Sequence, residues 1–301
     1  VFQNFLLQFQ EFFGKPMPVK PVKANQALFS HFGGKAFAGL NSKNLDPWFF
    51  LTSRPRSFAG MAHLELYLLP VPVSETESRD WIGPEFKACI QDNNLFVVEN
   101  IRTARRFIAS LKTGKVIDEI EFLVLDKDTD SASLALIWKK FREVGKAVLM
   151  SESGCPAVAD PGARLVERVQ GAGGRVVPFV GPSSILLALM GSGLSGQQFA
   201  FHGYLPIDAG LRDKRIRELE TESARLGRTQ IFIETPFRNN RIWDSFLAVL
   251  QPGTRLCLAM DVLGKNQVIR QMAVGDWRKQ PQIVWEKLPA IFLFQAGDQK
   301  Y

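Results

Sequence analysis

From Met61 onward, short apolar runs alternate with segments of helical spacing, and that alternation confines the chain to a small set of folds. Residues 64–69, 95–98 and 147–150 have the length and composition of buried strands. Asp160-Pro161-Gly162 opens a helix on whose one face Leu165, Val166 and Val169 recur. Asp160 is expected to cap its free N–H groups, and Pro161 suits the first turn. Gly171, Gly173 and Gly174 stop that helix, residues 175–180 form the next strand, and Gly181-Pro182-Ser183-Ser184 starts an apolar helix through Met190. Strands and helices in this order imply parallel strands with crossover connections.

A second set follows. Residues 199–205 and 230–234 read as strands, and 239–250 carries apolar residues at helix spacing. Residues 255–260, 267–274 and 290–294 read as strands of more antiparallel character. The expected fold class is therefore α/β: two α/β domains, the first (61–181) with a mostly parallel sheet, the second (182–301) with a mixed one.

Residues 1–60 have a different texture, with 11 of the 24 Phe and the stretch Lys15-Pro16-Met17-Pro18-Val19-Lys20-Pro21. The change at Met61 leads to the expectation that the natural chain starts there and that 1–60 is a non-native leader. The alternative is a disordered or partner-binding arm. Seven Lys/Arg and two acids lie in 1–60, so +5 of the net charge of +7 belongs to this segment. A body near neutrality does not demand nucleic acid but permits a local basic patch. Cys89, Cys155 and Cys257 are odd in number and form no CxxC pair, which argues against a disulfide framework or a zinc site and for a reducing compartment. No apolar run reaches membrane-spanning length, and the chain's first residues lack the basic-then-apolar pattern of a secretory signal. A cytoplasmic location without membrane contact is the expectation.

The most informative segment is Ser151-Glu152-Ser153-Gly154-Cys155-Pro156-Ala157-Val158-Ala159-Asp160-Pro161-Gly162. It follows a buried strand and precedes a helix. Small residues there let backbone amides approach a ligand closely, and ligands of parallel sheets sit at the carboxyl ends of the strands. A long Gly/Pro connection with no ligand accounts for this segment, taken alone, equally well.

With Gly181-Pro182-Ser183-Ser184 and Gly203-Tyr204-Leu205-Pro206, this segment resembles the loops of the tetrapyrrole methylase family. It is most similar to the branch that 2'-O-methylates cytidine in small-subunit ribosomal RNA. Leu68-Leu69-Pro70-Val71-Pro72, Glu99-Asn100-Ile101-Arg102-Thr103-Ala104-Arg105-Arg106 and Phe232-Ile233-Glu234-Thr235-Pro236-Phe237-Arg238 extend the likeness across about 64–294. Several motifs in the right order are far more specific than any one of them.

The resemblance implies two α/β domains with S-adenosylmethionine in the cleft between them, a homodimer, and RNA as acceptor. Carried over position by position, it implies cofactor contacts at Pro72, Val73, Ser151, Glu152, Ser153, Pro156, Ser183, Ser184, Ile233, Glu234 and Met260. Val73, Ile233 and Met260 are expected to flank adenine, although Ile233 and Met260 read equally well as strand core. A sulfonium methyl is already activated, so the enzyme must align the reacting atoms and exclude water. A ribose hydroxyl also needs a proton acceptor, for which Glu99 and Glu234 are the candidates. Ion pairs with Arg102 or Arg238 are the plainer reading of these two acids. Arg102, Arg105 and Arg106 have helical spacing and are expected to form one basic face that clamps RNA phosphates, unless that face is simply solvated.

The motifs also depart from that branch. Glu152 and Cys155 replace Asp and Thr, Asn100 and Ile101 replace Asp and Thr, and Phe237 replaces His. The branch's His-Glu-His-Asn segment has no counterpart here. The lost polar positions keep a non-catalytic S-adenosylmethionine-binding module as an alternative. A tetrapyrrole C-methyltransferase is a further one, against which stands Pro70-Val71-Pro72-Val73-Ser74-Glu75, where those enzymes carry a Gly-x-Gly-Pro-Gly-Asp turn.

Overall fold

The computed structural model describes residues 64–281, 283 and 288–297. The expectations for residues 1–60 and for a start at Met61 lie outside the described residues.

The first half is a βαβ succession. Its elements are β1 (Glu65–Leu68), α1 (Pro84–Gln91), β2 (Leu95–Val98), α2 (Ile101–Ser110), β3 (Glu121–Val124), α3 (Ser131–Val144), β4 (Lys146–Met150), α4 (Ala163–Gly171) and β5 (Arg175–Pro178). The strands form one sheet in the order β3-β2-β4-β1-β5, parallel throughout. Strand β2 is Leu-Phe-Val-Val and buried along its whole length, because both faces are covered. On one face Phe96, Val98, Val148 and Met150 meet Phe86 and Ile90 of α1 and Phe107 and Ile108 of α2. On the other, Leu95, Val97, Ala147 and Leu149 meet Leu134, Ile137 and Phe141 of α3 and Leu165 and Val169 of α4.

The second half comprises α5 (Ser184–Ser192), β6 (Phe199–Phe201), α6 (Ala209–Leu226), β7 (Thr229–Glu234), α7 (Asn239–Val249), β8 (Arg255–Met260), β9 (Val268–Ala273), α8 (Val274–Trp277) and β10 (Ala290–Gln295). Its sheet, in the order β6-β7-β10-β8-β9, is mixed: β6 and β7 are parallel, while β10 runs antiparallel to both β7 and β8. Phe232, Phe292 and Phe294 of the sheet and Phe246 of α7 are at most 1 % exposed and fill the layer between the sheet and helices α6 and α7. Fully burying one such side chain contributes about 1.5–3 kcal/mol. Helix α5 packs on the opposite face, against Ile231, Cys257, Ala259 and Ile291.

The expected strands at 95–98 and 255–260 are present with those bounds, while 199–205 shortens to β6. Gly203 adopts a left-handed φ of +66° just past it, so the chain turns away, although its carbonyl still accepts the Ile233 N–H at 3.1 Å. The cap expected at Asp160 is displaced. Gly162 holds the N-cap position without a side-chain bond, and Asp160 Oδ1 accepts N–H groups from Ala157 (3.0 Å) and Gly162 (2.7 Å). Asp160 thus closes the turn before α4 rather than the helix itself. Ser183 does cap α5, its hydroxyl accepting the Leu186 N–H.

Gly181 marks a close approach between the connection after β5 and the exit of β1. A Cβ at that position would lie 2.3 and 2.5 Å from the Pro70 ring carbons and 3.3 Å from Trp81. The proline ring cannot rotate away, so Gly181→Ala is expected to cost about 2 kcal/mol of stability. Gly171→Ala, at the end of α4 with nothing within 4 Å of the added carbon, is the matched control. Urea denaturation of both variants checks this, and equal midpoints would show that the approach is not tight.

Candidate functional site

All five strands of the first sheet are parallel, so the segments after β1, β2, β4 and β5 emerge at one edge. This is where a parallel sheet places ligands. The segment after β1 and the segment after β4 are stitched together there. Val71 N donates to the Gly154 carbonyl at 2.9 Å, and Gly154 N returns a bond to Val71 at 3.1 Å. Gly154 has a left-handed φ of +73°, and a Cβ on it would press on Val73 at 3.3 Å.

Beside this junction lies a cavity of about 460 Å³, lined by 71–75, Arg79, Thr103, Ala104, Arg106, Phe107, Ser110 and 151–153. That volume lies in the range of small-molecule sites. Of the residues expected to bind cofactor, it brings together Pro72, Val73, Ser151, Glu152 and Ser153; of the expected RNA contacts, Arg106. Val71, Pro72, Val73, Ala104 and Phe107 supply apolar wall, and Glu75 and Glu152 supply two carboxylates able to face a cationic sulfonium. This donor set fits S-adenosylmethionine.

Two buried acids hold the walls. Glu77, which lies in none of the motifs, accepts the Val73 N–H at 2.7 Å and the Trp81 indole N–H at 2.8 Å, fixing the turn after β1. Asp261 follows β8 with a left-handed φ of +48°. It accepts the Ser74 hydroxyl at 3.1 Å and the Asn266 N–H at 2.8 Å, while Lys265 N donates to Thr76 Oγ1 at 2.8 Å. The second half therefore latches onto Ser74 of the cavity wall and onto Thr76 just beyond it. Gly264 is required beneath this latch, because its Cβ would stand 1.9–2.2 Å from the Asp261 carboxylate.

The remaining expected residues are dispersed. Pro156 is buried below the loop, and the Ser183 hydroxyl is occupied as a helix cap. Ser184 begins α5 without lining the cavity. Ile233 packs toward α5, whereas Met260, 7 % exposed, belongs to the core on the other face of the sheet. Glu234 also points to that other face, with alternation along β7 placing it on the side of Phe232. The Ile233 and Met260 side chains thus do not form two walls of one adenine slot.

Glu234 is 3 % exposed and lies 3.3 Å from Arg238 Nη2, whose guanidinium also donates to the Leu205 carbonyl. Burial pushes its carboxyl above the ordinary value against the pull of Arg238. The ion-pair reading describes it. Glu99 makes no ion pair with Arg102 among the described residues. Its Oε2 accepts the Glu152 N–H at 2.9 Å, and the Asp160 carboxyl is among its charged neighbours. The three arginines likewise part company. Arg105 is held by Asp118 at 2.6 Å and lies over the Phe122 ring, Arg106 lines the cavity, and Arg102 is exposed.

Burial raises both Glu99 and Asp160 above the ordinary carboxylate range, and for Glu99 the neighbouring charges of Asp160, Glu152 and Asp126 add to this. A carboxyl raised in the folded state stabilises the fold while protonated, and that contribution is lost as pH rises through the folded value. Glu99→Gln keeps an acceptor for the Glu152 N–H but removes the charge. Its melting temperature is expected to fall less than the wild type's from about pH 4 to about pH 7. Parallel curves would show that the pair is not coupled to folding.

No family model matches the chain. Curated relatives do. The chain is 28% identical over 211 residues to "Ribosomal RNA small subunit methyltransferase I" of Vibrio cholerae, covering 70% of this chain and 69% of that protein. It is 26% identical over 225 residues to the protein of that name from Escherichia coli O157:H7, covering 72% and 73%. With the one from Leptospira borgpetersenii it shares 31% identity over 211 residues, 69% of this chain and 79% of that protein. The chain belongs to the ribosomal RNA small subunit methyltransferase I family. As a member it is a methyltransferase, and it requires a methyl donor. The solved structure of the methyltransferase CobJ shares its fold, with a TM-score of 0.52 at 15% identity over 77% of this chain and 93% of that one.

Of the 151–162 segment, only residues 151–153 line the cavity. Arg79, Thr103, Phe107 and Ser110 also line it, and periodicity gave no sign of them. Among the described residues no cluster of His, Cys, Asp or Glu could hold a metal ion, and no helix is long and apolar enough to cross a membrane. All three cysteines are free, and burial pushes the Cys89 and Cys257 thiols up to about 12.

Proposed function

We propose that the protein uses S-adenosylmethionine to methylate a ribose 2'-hydroxyl in small-subunit ribosomal RNA. The observation that carries this is the convergence of 71–75 and 151–153 on one cavity, in a chain of this family. The donor lies against Pro72, Val73, Ser151, Glu152 and Ser153, with Pro156, Ser183, Ser184 and Ile233 supporting the loops from behind. Glu234 and Met260 contribute backbone at the ends of β7 and β8 rather than side chains. The site acts in the cytoplasm, and the chain works as a homodimer.

When bound, S-adenosylmethionine supplies an electrophilic methyl group on a sulfonium. The chain's task is to orient the acceptor hydroxyl in line with it and to keep water out. For the acceptor oxygen to take up that methyl, its hydroxyl proton would pass to a carboxylate of this chain. Glu152, exposed on the cavity wall, is the group proposed to receive it. Glu99, the earlier candidate, acts through the Glu152 backbone as a positioning residue. Arg106 meets the RNA at the same cavity, and Arg102 adds charge outside it.

Incubation with methyl-labelled S-adenosylmethionine and RNA from cells lacking the protein tests the reading. Label in alkali-resistant dinucleotides is the expected result. Label only in tetrapyrrole precursors, offered in parallel, would replace RNA as acceptor, and no transfer to either would leave a binding module.

A further inference from the structure

The cavity's charges are segregated along the chain. Its two carboxylates, Glu75 and Glu152, stand on the segments after β1 and β4. Its two guanidinium groups, Arg79 and Arg106, come from further along the β1–α1 connection and from α2. The hydroxyls of Thr103 and Ser110 lie on the same helix as Arg106 and line the same space. Arg79 is held in place there. Its guanidinium lies 5.6 Å from the Phe107 ring centroid, over the ring, and donates to Ser110 Oγ, which in turn donates to the Phe107 carbonyl at 2.6 Å. Neither Arg79 nor Arg106 is in an ion pair among the described residues, although Arg105, one position away, is neutralised by Asp118.

A planar guanidinium stacked on an aromatic ring keeps its outward N–H groups fixed for an anion. Arg79 is such a group, and together with the Arg106 guanidinium and the Thr103 hydroxyl on the same lining it matches one phosphodiester. With two carboxylates on the same lining, the cavity is neutral overall and suits a single negative charge better than a polyphosphate.

We propose that Arg79 and Arg106, with the Thr103 hydroxyl, form a phosphodiester subsite that anchors the RNA backbone beside the nucleotide being methylated, Ser110 serving to hold Arg79 in place. This rests on the RNA reading above. It adds Arg79, which lies outside the Arg102–Arg105–Arg106 pattern of the sequence, and leaves Arg105 out.

The test is a salt titration of binding to deproteinised small-subunit ribosomal RNA, with S-adenosylmethionine affinity and methyl transfer measured on the same preparations. Arg79→Gln and Arg106→Gln are each expected to weaken RNA binding several-fold at low salt and to reduce the log–log salt slope by about one. Arg79→Lys, which keeps the charge, is expected to restore the slope. Arg142→Gln, whose guanidinium lies over Trp138 on α3, is expected to behave as wild type. Cofactor affinity should stay constant in all four. A wild-type slope in both Gln variants, with wild-type protein still methylating RNA, overturns the subsite and leaves the methyltransferase reading standing. Wild-type protein that methylates no RNA overturns both.

Discussion

Ser153→Trp is expected to weaken S-adenosylmethionine binding more than about 1000-fold, a loss of about 4 kcal/mol. Ser153 is exposed on the cavity wall, next to the Gly154–Val71 junction that fixes the loop. An indole there would occupy the space between 71–75 and 151–153, and no core contact would be lost. Calorimetry gives the affinity, and circular dichroism shows whether the variant is folded. A folded variant that still binds at wild-type strength would place the donor elsewhere.

Glu152→Gln is expected to lower kcat about 100-fold and to weaken S-adenosylmethionine binding only about tenfold, because Glu75 still faces the sulfonium. The amide preserves the side chain's shape but is a far poorer proton acceptor. The Glu152 backbone N–H, bound by Glu99, is untouched by the change. A rate loss of this size that rising pH progressively relieves, as solvent base takes over the deprotonation, identifies a missing base. Equal loss of kcat and cofactor affinity would instead leave Glu152 with a binding role alone.

Much of the scaffold was legible because burial on both faces writes strands as continuous apolar runs. Leu95-Phe96-Val97-Val98 and Ala147-Val148-Leu149-Met150 could be read directly. Their parallel arrangement then brings Pro72, Glu99 and Ser151, distant in sequence, to one edge. Helix α6 was harder to see. Ile216 and Leu219 are buried, but Leu211 is 61% exposed and charged residues fill most of the helix, so its periodic signal is weak.

Side-chain roles within the site were less legible, since they depend on partners far along the chain. Arg105 carries the same charge as Arg106, yet Asp118 engages only the former. Ile233 and Met260 look alike as apolar strand ends, but the register Ala290↔Met260 and Ile291↔Ile233 sends them to opposite faces. Nothing local announces that Asp261 reaches Ser74, 187 residues away. The stacking of Arg79 on Phe107 is likewise a tertiary fact.

The central claim concerns where the methyl donor lies, and a crystal structure with S-adenosylhomocysteine measures that directly. The account predicts ligand density in contact with Pro72–Ser74 and with Ser151–Ser153, with its sulfur directed into the cavity that Arg79 and Arg106 line. Density clear of both segments, in crystals soaked to saturation, would contradict it.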